Sequence, residues 1–159
     1  SKIVALSILY DGNTISHVAN ENPIREYAIL KWLSDFIDFR KDYNIVGYNI
    51  KNFDIPFIRV RSARHGIQCN LPGRNSYRII DIYDLMGGKW QTDVSSGTLS
   101  ELAWYLYGVP KESGDGNQVA TWAEAGEWDK IQAHCEEDVR LCDRIYKDFR
   151  GVLFEPGAR

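Results

Sequence analysis

Two β-rich runs, Ile3–Tyr10 and Thr14–Ala19, flank the turn signal Asp11-Gly12-Asn13. That pattern predicts a β-hairpin, since Asp-Gly suits the left-handed turn that joins two twisted strands. Helix and strand signals then alternate. Pro23 suits a first helical turn, and Ile24, Tyr27, Leu30, Leu33 and Ile37 recur at helical spacing, predicting a helix to about Tyr43. The segment "NIVGYN" reads as a short strand. A helix follows it, with Pro56 in its first turn, Ile55, Ile58 and Ser62 on one face, and Gly66 as its stop. "YRIIDIYDLM" is a further strand. "TLSELAWYLYGVP" opens on a capping box, Thr98 with Glu101, and closes on Gly108 and Pro110. "KESGDGNQVA" reads as a loop, and helical spacing runs from Ala123 to Phe149. A hairpin followed by alternating elements predicts a single α/β domain with a mixed sheet flanked by helices. No repeat or internal linker interrupts it.

Composition narrows the classes. With 159 residues, 44% hydrophobic and 26% charged, the chain has material for one packed core. No apolar run approaches the roughly 18 residues of a membrane span, so no membrane partner is expected. Cys69, Cys135 and Cys142 lack metal-ligand spacing, and three unpaired thiols suit a cytoplasmic, reducing compartment. The net charge of −3 hides an asymmetry. Residues 51–78 carry six basic residues against one acid, or +5, while the remainder has 13 basic and 21 acidic residues, or −8. Such a segment is either a phosphate-binding face or a solvated helix face.

Asp54 is the acid inside that basic segment, and it stands at a strand-to-helix junction in otherwise apolar sequence. An unpaired carboxylate is costly to bury. There it either caps the helix or holds a cation. In the last helix Trp128, Ile131, Cys135, Val139, Cys142, Ile145 and Phe149 make an apolar stripe. Asp138 falls within about 40° of Cys142 on the helical wheel, and His134 lies one turn before it. The pair calls for a partner: a metal ion, or an arginine in a structural salt bridge.

"YNIKNFDIP" resembles the second motif of DEDD-type 3′–5′ exonucleases, and "HCEED" resembles the third, Tyr-x-x-x-Asp, with His134 in the tyrosine position. With "RIIDIYDLM" and "GTLSELAWYLYGVPKESGDGNQV", nearly the whole chain is similar to the exonuclease domains of family B DNA polymerases, above all to the stand-alone polymerase-B-like enzymes. The resemblance implies a ribonuclease H-like fold and hydrolysis at the 3′ end of single-stranded DNA, or RNA, by two Mg²⁺ or Mn²⁺ ions on four carboxylates. It implies a polymerase or another replication or repair protein as partner. Asp54 and Asp138 would be metal ligands. Asn49 and Phe53 would shape the substrate pocket, Phe53 by packing on a base or sugar. His134 would orient or deprotonate water, or is a packing substitution. Arg59, Arg61 and Arg64 would hold nucleic acid or a partner protein, the role they keep if the domain is a non-catalytic binding module.

One departure shapes the expectation. The first motif, Asp-x-Glu on a strand ahead of "KIVALSILYDG", is absent, and Asp81 and Asp84 are not ligands in the family. Two carboxylates hold one Mg²⁺ weakly at best, so little nuclease activity is expected of these 159 residues alone. We expect a chain that begins after its first strand. The rival is a natural pseudo-enzyme with a rebuilt sheet.

Overall fold

The computed structural model describes residues 2–86, 97–114 and 116–153. The hairpin forms as β1 (Ala5–Tyr10) and β2 (Asn13–Val18), antiparallel, with Tyr10 opposite Asn13. Its turn is therefore two residues, Asp11 and Gly12, at φ of 50° and 75°. Two left-handed residues in succession are what a type I′ turn requires. Asn13 belongs to the strand instead of the turn.

Helix α1 (Pro23–Asp38) is capped by Asn22, whose side chain accepts from the Ile24 amide at 2.9 Å. It ends five residues before the expected Tyr43. The Arg78 guanidinium donates to the carbonyls of Arg40 at 3.0 Å and Tyr43 at 3.1 Å, fixing those residues as the approach to β3 (Ile45–Gly47). β3 pairs in parallel with β4 (Ile79–Asp81), and α2 (Asp54–Arg64) lies between them in the chain. A Cβ at Gly47 would come within 2.4 Å of the Ile50 side chain, so the end of β3 is open only to glycine unless that side chain moves.

β4 is much shorter than the sequence suggests. The Asp81 side chain accepts from the Tyr83 amide at 3.1 Å and starts the one-turn helix α3 (Ile82–Leu85). Helix α4 (Leu99–Tyr107) keeps its expected cap: Thr98 accepts from the Glu101 amide at 3.2 Å, and Gly108 at φ 72° ends it. Within the expected loop after Lys111, a 3₁₀ turn (Gly116–Gln118) leads into α5 (Val119–Glu124), and Asp115 lies outside the described residues. The expected continuous last helix breaks at Gly126, φ 71°, and resumes as α6 (Trp128–Leu153).

The mixed character of the sheet holds, but as two separate pairs of strands, β1-β2 and β3-β4, and no ladder joins β1 to β3 among the described residues. Helix α6 spans both, packing on β1, β2 and β3. The core divides accordingly. Ile82, Leu102, Cys142 and Ile145 form one cluster, with Val46, Tyr48 and Phe149 against it. Ile3, Leu30 and Ile67 form another, with Phe57 and Ile58. Each fully buried Leu or Ile contributes roughly 1.5–3 kcal/mol, so α6, with Ile131 and Ile145 both fully buried, is the element that unites the halves. Among the described residues no helix is long and apolar enough to cross a membrane.

Candidate functional site

The corner between β3 and α2 is held by a buried acid. Asp81 accepts from the Asn49 amide at 2.7 Å and the Lys51 amide at 2.9 Å, besides Tyr83. Asn49 takes a left-handed conformation, φ 57°, which asparagine tolerates better than most residues. Its carbonyl accepts from the Phe53 amide at 3.1 Å, and its side chain accepts from Asn52 at 3.0 Å. The turn so fixed delivers Asp54 as the first residue of α2. Phe53 stands at the cap position without a side-chain cap, so Asp54 is not the cap that one sequence reading allowed. Phe53 is 63% exposed and stacks on Phe57, centroids 6.1 Å apart.

Asp54 is exposed, yet the protein around its carboxyl displaces part of its hydration. That crowding raises its pKa. Its own amide works against the rise, and the charges of Asp138 and Asp81 add to it, leaving the group at about 6. The same field acts on Cys135. Its thiol is pushed up to about 11 by burial first, then by Asp138 and Asp54, with Lys111 opposing. The structure thus brings Asp54 and Asp138 within electrostatic reach from two different helices.

On α6, Asp138 is paired, though not with arginine. Lys111, from the segment after α4, places its ammonium against Asp138 Oδ1. The contact lacks the alignment of a hydrogen bond. His134 is buried, with Nε2 at 3.5 Å from Asp138 Oδ2 and Nδ1 at 3.1 Å from Ser113 Oγ. Ser113 also bonds Glu137, which accepts from the Ser113 amide at 2.9 Å and the Glu112 amide at 2.7 Å. Burial opposes ionisation of Glu137, but these hydrogen bonds and the Lys111 charge hold its pKa below the ordinary value. An ionised Glu137 only accepts, so the Ser113 hydroxyl donates to it. The Ser113 oxygen is then left to accept from His134 Nδ1, and His134 Nε2 is the ring nitrogen that faces Asp138.

Lys111, His134 and Asp138 line an open cleft of about 530 Å³, with Thr98, Leu99 and Ser100 at the start of α4 as another wall. Asp54 is not part of that lining.

The arginines separate. Arg64 is exposed. Arg59 is half-buried and donates to the carbonyls of Leu71 at 2.8 Å and Pro72 at 3.1 Å. Arg61 corrects the sequence expectation. It is 6% exposed and points into the core, where Glu26 takes both its Nε, at 2.7 Å, and its Nη2, at 2.6 Å. A guanidinium committed to a buried carboxylate does not grip a ligand at the surface. Lys111, Ser113 and Glu137 went unnoticed in the sequence, where "PKES" is an unremarkable polar run after a helix stop.

Among the described residues no cluster of three or more His, Cys, Asp or Glu side chains is arranged to hold a metal ion. Asp54 and Asp138 are hard oxygen donors that feel each other's charge, two carboxylates where a pair of divalent ions takes four, so they would serve at most one cation completed by water.

A family model described as RNase_H superfamily matches residues 1–150. Comparison with curated proteins gives no significant match.

Proposed function

The chain belongs to the RNase H superfamily, and on that premise we propose that it is a 3′–5′ exonuclease domain that hydrolyses phosphodiester bonds at the 3′ end of single-stranded nucleic acid, DNA in preference to RNA. The superfamily points to a nuclease or a nucleic-acid-binding protein. The observation that carries the finer reading is the meeting of Asp138 and His134 on one open cleft, with Asp54 in the same electrostatic field.

The roles follow from the groups. Asp54 and Asp138 would hold a single Mg²⁺ or Mn²⁺, which when bound supplies polarisation of water and offsets charge on the leaving 3′-oxygen. His134 holds the water: with Nδ1 donating to Ser113, its Nε2 is the ring nitrogen able to take a proton. Ser113 and Glu137 position that ring. Phe53, exposed and backed by Phe57, offers a stacking face to a terminal base beside the rigid Asn49 turn. Arg59 and Arg64 supply positive charge to the backbone, and Arg61 is excluded by its burial. A polymerase or another replication or repair protein is the partner such a domain serves.

The test is Mn²⁺-dependent degradation of single-stranded DNA, slow because one ion does the work of two, and abolished by Asp54→Ala. The alternative is a non-catalytic binding module. It is favoured by the neutralisation of Asp138 by Lys111. Oligonucleotide binding that weakens with salt, survives chelation and is accompanied by no hydrolysis would establish it in place of the exonuclease.

A further inference from the structure

Lys111 is an unusual lysine. Its side chain is 4% exposed, whereas lysine is almost never fully buried unless paired. Among the described residues its one acidic contact, Asp138, is ionic without hydrogen-bond alignment. An ammonium held by charge alone is exchangeable for another cation. Means of leaving are at hand. Lys111 belongs to no helix or strand, follows Pro110, and lines the cleft into which its flexible four-carbon stem can swing. The carboxylate it covers is the one that shares its field with Asp54.

We propose that Lys111 is a built-in plug of the cleft: its ammonium and a divalent cation compete for Asp138, and the cation binds only as the lysine withdraws. The proposal rests on Asp54 and Asp138 holding that cation. Competition of this kind is reciprocal, so metal must loosen Lys111 by the same factor by which Lys111 weakens metal.

Mn²⁺ titration of the 159-residue chain by electron paramagnetic resonance reads the first half of that statement. Lys111→Met should bind Mn²⁺ about tenfold more tightly than the unmodified chain, and Asp138→Asn should abolish binding. Equal or weaker binding by Lys111→Met, with Asp138→Asn binding no Mn²⁺, overturns the plug and leaves the metal-ligand reading standing. Retention of binding by Asp138→Asn overturns both. The second half needs no variant. Acylation of lysines on the unmodified chain, read by mass spectrometry, should find Lys111 protected without Mn²⁺ and labelled severalfold faster with it. No change on adding saturating Mn²⁺ also overturns the plug.

Discussion

Glu26, Arg61 and His65 form one ionic cluster, and Asp138, Lys111 and His134 form another from the same three kinds of group. They are built to opposite standards. Glu26 is 1% exposed, and both its oxygens are engaged, by the Ile3 amide at 2.8 Å, by Arg61 through two nitrogens, and by His65 at 3.0 Å. Burial works to raise its pKa, but the hydrogen bonds from Arg61, Ile3 and His65 outweigh it and bring the group down to about 2. Asp138 keeps 35% of its side chain exposed, meets a point charge instead of a planar fork, and opens on a cleft. Identical chemistry serves cohesion where every lone pair is met, and leaves room for a ligand where it is not.

The largest effect is expected from Glu26→Gln. It strands the Arg61 charge in the core and should cost about 3–5 kcal/mol, lowering the melting temperature on the order of 10 °C. A loss below 1 kcal/mol would mean the cluster is not structural. The pH dependence separates the clusters next. Because Glu26 titrates at about 2 in the fold against an ordinary 4.5, its contribution is complete above about pH 4.5 and disappears as pH falls toward 2. It amounts to about 3 kcal/mol, and urea denaturation across that window should show the loss in the unmodified chain and not in Glu26→Gln.

A smaller effect is expected at the cleft. Lys111→Met leaves Asp138 without its cation, but that side chain keeps 35% of its surface exposed, so the loss of stability by urea denaturation should stay within about 1 kcal/mol. The smallest is Asp54→Asn. Asp54 titrates at about 6 against an ordinary 3.8, so its ionisation opposes folding, fully above about pH 6 and not at all below 3.8. Solvent access limits the gain on removing it to no more than about 1 kcal/mol. A gain at pH 7 that vanishes near pH 3.5 is the expected signature, and a loss at pH 7 would contradict it.

The two clusters were not equally visible in the sequence. Asp54, His134 and Asp138 showed themselves because each interrupts an apolar segment of fixed period. Arg61 was misassigned because what commits it, Glu26, lies 35 residues away on another helix. Lys111 was invisible because its partner, Asp138, lies far along the chain in α6. The fold divides in the same way. Hairpin, caps and glycine stops are local chemistry and were legible at Asp11-Gly12, Thr98 and Gly66. The end of α1 was not, being set by Arg78. Nor was the shortness of β4, where the carboxylate of Asp81 both starts α3 and holds the distant Asn49 turn. The separation into two pairs of strands leaves no trace in hydrophobic alternation, which fixes faces and not neighbours.

The central claim is that the Asp138 cluster works on nucleic acid while the Glu26 cluster holds the fold. It is tested most directly with a 5′-labelled single-stranded oligodeoxynucleotide and Mn²⁺, at a temperature where all variants are folded by circular dichroism. The unmodified chain should shorten the label slowly, one nucleotide at a time from the 3′ end. Glu26→Gln should do so at the same rate per folded molecule, and Asp138→Asn not at all. Equal shortening by Asp138→Asn, or loss of it in folded Glu26→Gln, would contradict the account.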